Sequence, residues 1–345
     1  MVNRASMSNA GVRIESSAGL LVQQEPLDAL ESEWRALLPN LWAPAPFQNP
    51  TWMRVWWDSF GHGHEQWLLS FRQGGRLRGI APMMRTGDVI SFLALTDVCD
   101  YHDFLFASGE EEACVTALLE TLQAQPWNRL ELEGLREGSP ALALFPRMAE
   151  AHSLSVTVAP DEVSPHIPVM PTWDGYLESL SKKDRHELRR KFRRLESAGA
   201  VRVTTAFSAT LATDVATFLD LLKDSREEKA AFMTPERERF FHELAVSMDK
   251  EGILKLFFLE LDGQRVASAF CFDYENAYYL YNSGYDTKYA SLSVGVLLKA
   301  LLVKDAIEHH KREYDLLRGA ETYKYHLGAQ DRWLKKLTIE RPSGP

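Results

Sequence analysis

Apolar positions along this chain recur at two alternating periods, and the alternation predicts its elements. Leu27, Leu30, Trp34 and Leu37 stand at helical spacing behind Pro26; Trp52, Val55 and Trp56 share one face of a second helix that stops at Gly61. Strand-like segments follow at 66–72, at 77–84 after a Gly-Gly turn, and from Val89 to Leu95 running on towards Phe106. A helix over 110–122, a strand over 129–135, a helix over 139–152 and a strand over 154–158 close the first half.

The same order then returns. Helices over 210–223 and 234–250 precede strands over 253–261, 265–274 and 277–286, a helix from about Ser291, a strand over 314–318, a short helical turn and a strand over 333–340. An element order repeated at half the chain length predicts two copies of one α/β (α+β) fold. Each would be a mixed, mostly antiparallel sheet flanked by helices. The joint falls in PDEVSPHIPVMP, whose four prolines disfavour a helix or an internal strand. The expected division is a flexible polar tail over 1–19, a first domain over 20–164 and a second over 165–345. The second includes a basic helix over 181–198, capped by Ser181 and closed by Gly199.

At 345 residues, with 45% apolar and 25% charged residues, the chain has the composition of a globular protein of two domains. No apolar run approaches the roughly 20 residues of a membrane span, and the first residues lack a secretory apolar core. Three scattered cysteines fit neither a disulfide framework nor a zinc cluster, so a reducing cytoplasm and no metal are expected. A net charge of −9 disfavours general nucleic-acid binding.

The candidate chemistry gathers in 278–324. Ser291 and Ser293 are candidate caps of a helix whose first turn holds Val294 and Gly295, and free N–H groups there favour a pyrophosphate. An ordinary capped helix explains the same residues. Tyr279, Tyr281, Ser283 and Tyr285 alternate onto one strand face, where Tyr281 and Tyr285 would line a cleft or simply a core. RGAETYK brings together Arg318, Glu321, Tyr323 and Lys324: a phenol to protonate a thiolate, a lysine to hold an oxyanion or phosphate and a carboxylate base. Taken alone, the segment reads more simply as a surface turn with a Glu321 to Lys324 ion pair. DVCDYHDF crowds Asp100, Tyr101, His102 and Asp103 into a polar-acceptor site or a solvated loop. Arg189 and Arg193 lie on the guanidinium row of the basic helix, which suits phosphate or carboxylate and also a solvated face.

Taken in order, SKKDRHELRRKFRRLESAG, LDGQRVASAFCF, YNSGYD, SLSVGVLL and LRGAETYK, with PFQNPTWMRVWWDSFG and CDYHDF before them, resemble the Fem-like tandem GNAT acyltransferases of the CelD group. That group is tied to cellulose and exopolysaccharide biosynthesis. The resemblance covers nearly the whole chain and implies two GNAT folds, with an acceptor between them and acetyl-CoA as donor in the second. It implies N- or O-acylation of an amino sugar or polysaccharide precursor, and peripheral association with a synthase. Tyr323 falls at the position that protonates the leaving thiolate, Lys324 matches the YK motif, and Asp100, Tyr101 and Asp103 match DYxD. Only Gly295 follows KYASLSV where GNAT loops carry closely spaced glycines. Aminoacyl transfer from charged tRNA, and a non-catalytic pair of folds that binds an anionic nucleotide and regulates a synthase, are the alternatives.

Overall fold

A computed structural model describes residues 11–341. Two mixed sheets are flanked by helices. The first runs, edge to edge, through Arg13–Glu15, Leu21–Gln24, Glu65–Gln73, Arg76–Thr86, Val89–Phe92, Arg129–Arg136, Trp333–Glu340 and Ser155–Val163, with Leu105–Phe106 paired to Arg76–Thr86. The second runs through Val201–Thr205, Leu254–Leu261, Gln264–Tyr274, Ala277–Tyr285, Glu313–Asp315 and His166–Pro168.

Each sheet holds one parallel step after an antiparallel meander: 89–91 beside 129–131 in the first, 277–279 beside 313–315 in the second. These matching steps are the repeat seen in the sequence. One strand also crosses between the halves. Trp333–Glu340, read from the sequence as the end of the second copy, inserts antiparallel between Arg129–Arg136 and Ser155–Val163 of the first sheet. His166–Pro168 edges the second sheet. Pro160 and Pro168 thus sit on outermost strands, where a missing N–H breaks no interior ladder. Within the expected polar tail, Arg13–Glu15 forms a strand paired with Leu21–Gln24; residues 1–10 lie outside the described residues.

Among the described residues three apolar clusters form, and one of them joins the halves. It takes Trp34, Phe47, Trp52 and Trp56 from the first half and Phe218, Phe240, Phe241 and Phe272 from the second. Trp52 meets Phe240 edge-on at 6.0 Å and Phe47 meets Phe272 at 6.1 Å. With rings interlocked across the joint, the two copies form one packed body.

Candidate functional site

The second sheet opens where its parallel pair ends. Ala277–Tyr285 pairs with Glu313–Asp315 only over 277–279, and beyond Tyr279 the two strands separate into a cleft. A bulge lies in the same strand: Phe270 opposes Asn282 and Cys271 opposes Leu280, which leaves Tyr281 as the extra residue. Alternation inverts there. Tyr279 and Tyr281 face the core between the halves, whereas Tyr285 packs with the second half's own core, so the single tyrosine face expected from the sequence is divided. The first half differs at the matching place. After Val89–Phe92 its chain folds back, His102 bridges Leu135 in parallel, and His102 stacks on Phe92 at 5.5 Å.

Gly284 sets the cleft's second wall. A Cβ there would lie 2.3 Å from the Leu222 nitrogen and 2.4 Å from the Leu221 carbonyl, so only glycine lets the helix Leu211–Ser225 lie directly on the strand. That contact brings Ser225, Arg226 and Lys229 over the opening. The third wall is the start of the helix Val294–Glu308, where Gly295 leaves room for the Tyr285 ring, 3.0 Å from where its Cβ would stand. Together they bound a cavity of about 240 Å³ reached by Arg226, Lys229, Tyr285, Lys299, Glu321 and Tyr323.

Lys299 stands on the helix one turn beyond Gly295. It is buried, donates to the Gly295 carbonyl at 3.1 Å, and its ammonium lies 4.6 Å from the centre of the Tyr323 ring. Burial, with repulsion from Lys229 and Arg226, pulls its pKa down to about 7. Lys229 donates to the Ser283 carbonyl and, at 3.4 Å, to Asn282 Oδ1; burial lowers it to about 8. Burial pushes the Tyr323 phenol well above its usual range, so it holds its proton at neutral pH. Glu321 is held below the usual carboxylate range, against the opposing effect of burial, by Lys324 at 3.0 Å.

The helix Val294–Glu308 starts without a side-chain cap. Ser293 occupies the cap position in the left-handed conformation, and its hydroxyl accepts from Arg194 Nη2 at 3.4 Å rather than from the helix backbone. The N–H groups of Val294 and Gly295 begin the first turn. Ser291 is exposed in the short turn Thr287–Leu292 and stands outside the cavity lining.

Several expected site residues stand elsewhere. Lys324 is buried, and its ammonium donates to the carbonyls of Leu317, Arg318 and Gly319, each at 2.8 Å; it clamps the loop instead of facing the cavity. Arg318 pairs with Asp161 at 3.2 Å, and its N–H donates to Asp100 at 3.1 Å. Burial raises Asp100 to about 6. Tyr101 is buried and bonded to Asp315, and Asp103 accepts from Ser139 at 2.9 Å beside the start of the helix Pro140–Ala149. The acid-rich motif is thus neither a solvated loop nor a wall of the cavity: Asp100 and Tyr101 reach the second half, whereas Asp103 is buried within the first. Tyr281 donates to the Val98 carbonyl at 2.7 Å. Arg189 and Arg193 are exposed on the helix Lys182–Glu196, outside the cavity lining; that helix ends at a Ser197 cap, two residues before Gly199. The cavity therefore gathers Tyr285, Ser293, Val294, Gly295, Glu321 and Tyr323 from the expected set and adds Arg226, Lys229 and Lys299.

A parallel pair that splays beside a bulge and a helix start, present in a repeated mixed fold, defines a tandem GNAT-like architecture. Residues 182–325 match the family model described as acetyltransferase (GNAT) domain. No curated protein matches the chain. Among solved structures, FemX is similar at 12% identity, with a TM-score of 0.62 over 89% of this chain and 95% of that one. The C-terminal domain of a putative lysylphosphatidylglycerol synthetase from Agrobacterium fabrum is similar at 10% identity, TM-score 0.57, over 91% and 92%. A tandem GNAT protein from the clavulanic acid biosynthesis pathway is similar at 13% identity, TM-score 0.53, over 94% and 100%. At such identities the likeness is one of fold.

Proposed function

We propose that the chain is an acyltransferase that passes an acyl group from a coenzyme A thioester to an amine or hydroxyl of a sugar or polysaccharide precursor. One observation carries this reading: a helix start suited to phosphates and a protonated phenol, Tyr323, border one cavity at the splayed strands. A cavity of about 240 Å³ lies just below the roughly 300–1,000 Å³ of a site for a whole small ligand, so it suits the reacting end of a longer donor. The donor's phosphates fit the Val294 and Gly295 N–H groups and Arg194.

A thioester is already activated, so alignment and charge stabilisation suffice. The acceptor nitrogen or oxygen attacks the carbonyl carbon and the new bond forms. The C–S bond then breaks, and Tyr323 gives its proton to the departing thiolate. The acceptor's proton leaves to water. Glu321, held ionised by Lys324, is a weak base and serves to align the loop that carries Tyr323.

Aminoacyl transfer from charged tRNA is a second reading, favoured by the exposed Arg189 and Arg193 on a helix whose Arg194 reaches Ser293 at 3.4 Å. Against it, an aminoacyl ammonium would meet Lys229 and Lys299. Calorimetry with acetyl-CoA, and thiol release in the presence of amino-sugar acceptors, test the first reading. It falls if the protein neither binds a coenzyme A thioester nor releases thiol. Loss of label from charged tRNA under the same conditions would establish the second.

A further inference from the structure

The cavity holds more positive charge than its own residues balance. Arg226, Lys229 and Lys299 line it against one carboxylate, Glu321, which is already paired with Lys324. Glu227 and Glu228 follow Arg226 in the chain but are exposed and do not line it. Lys299 is buried, and among the described residues its only acceptor within hydrogen-bond distance is the Gly295 carbonyl. Removing an uncompensated ammonium from water costs several kcal/mol, and a folded chain with a net charge of −9 has carboxylates to spare. Uncompensated cations in a cavity are explained by a ligand that carries the missing charge.

The position of these cations indicates which part of the ligand that is. The phosphate-binding elements stand at the helix start, at Ser293 to Gly295. Lys299 lies four residues further along the helix, and its ammonium folds back to the Gly295 carbonyl at 3.1 Å, where it lies 4.6 Å from the centre of the Tyr323 ring. Lys229 comes from the opposite wall and touches the bulged strand at Asn282 and Ser283. Both lysines therefore border the place where the acyl group lies if Tyr323 protonates the thiolate.

We propose that the acyl group this site transfers ends in a carboxylate, as in a dicarboxylic acid half-thioester, with Lys299 and Lys229 binding that carboxylate. This rests on the acyl-thioester reading above. The acyl group would be held at both ends, its carbonyl towards Tyr323 and its carboxylate between the lysines, and a neutral acyl chain of equal length would lack the second hold.

Succinyl-CoA and butyryl-CoA carry four-carbon acyl groups that differ in the terminal charge, and they provide the test. Calorimetry should give succinyl-CoA at least a tenfold lower Kd than butyryl-CoA, and Lys299→Met and Lys229→Met should each bring that ratio towards one. Circular dichroism confirms that both variants are folded. Equal binding of the two thioesters by the parent protein overturns the proposal and leaves the acyltransferase reading intact. A ratio that survives both lysine variants overturns it too, as does an equal weakening of both thioesters, which would make the lysines phosphate ligands. If neither thioester nor free coenzyme A binds, the acyltransferase reading fails and this inference fails with it.

Discussion

Tyr101 in the first half donates its hydroxyl hydrogen to the carboxylate of Asp315 in the second, 2.8 Å from Oδ2 and 2.9 Å from Oδ1. Asp315 is fully buried; burial raises its pKa, and Arg332 at 3.2 Å, the Leu317 N–H and Tyr101 work against that rise. Tyr101→Phe removes a donor from a buried anion, and the expected loss is about 1–3 kcal/mol of unfolding free energy. Urea denaturation measures it. Turnover in the absence of urea should persist, because Tyr101 stands outside the cavity; a loss of turnover at unchanged stability would make it a substrate ligand.

Tyr323→Phe keeps the ring beneath Lys299 and removes the proton donor. Turnover with the preferred donor should fall by about 10²–10⁴-fold, the range of a single general acid, while the Kd for coenzyme A stays within about twofold. Steady-state kinetics and calorimetry on the same preparation separate the two effects. A parallel loss of binding would indicate a ring that packs rather than a phenol that reacts.

Lys324→Met tests the clamp. Three carbonyls lose a charged donor worth about 1.5–3 kcal/mol each in favourable cases, so the loop at 316–328 should loosen and thermal stability should drop. Limited proteolysis should find new cuts in that segment. Lys324→Arg should not restore the parent, because a planar guanidinium cannot address three carbonyls from one point. If Lys324 instead binds the donor, the methionine variant will keep its melting temperature and lose affinity.

Gly284→Ala is a steric test of how the cleft is built. The added methyl would meet the Leu221 and Leu222 backbone at 2.3 to 2.4 Å, and main chain cannot rotate away as a side chain can. Helix and strand must separate, at a cost of at least the roughly 1–3 kcal/mol of an overpacked core. Arg226 and Lys229 move with the helix end, so coenzyme A affinity should fall along with stability.

How far the sequence revealed these features depends on how far each is local. The long elements of both halves were legible within a few residues, because runs such as LDALESEWRAL or RLELEG repeat one period over several turns or pleats. Val201–Thr205 was too short to show a period. The bulge at Tyr281 was invisible, since it is a mismatch between two strands and neither strand alone encodes it. The crossing of Trp333–Glu340 into the first sheet was hidden for the same reason: its alternation suits either sheet. Asp100 to Asp103 read as a site or a solvated loop because acids are dense there, yet their partners are distant in sequence: Arg318 and Asp315 across the seam for Asp100 and Tyr101, Ser139 within the first half for Asp103. Lys299 left one trace, a lone lysine within an apolar helical run four residues after Gly295. Lys229 left none, since Ser225 to Lys229 reads as the polar end of a helix.

The charge in the cavity has a consequence for stability that runs opposite to most ion pairs. Lys299 titrates at about 7 in the folded chain and near 10.5 when unfolded. Between those values the unfolded state holds a proton that the folded state has released, so this group makes stability rise with pH from about 7 to 10 and contributes a constant cost below 7. Lys229, lowered to about 8, acts in the same direction. The buried Cys99, Cys114 and Cys271 oppose it, because their raised pKa values make stability fall as unfolded thiols ionise. A difference measurement separates them. Lys299→Met without ligand should melt above the parent at pH 7, since it removes a buried charge and keeps most of the volume, and the gap should close as pH approaches 10. Melting curves at unit pH intervals check this. A gap that does not change with pH would mean that Lys299 stays charged in the folded chain, held by a partner other than the Gly295 carbonyl.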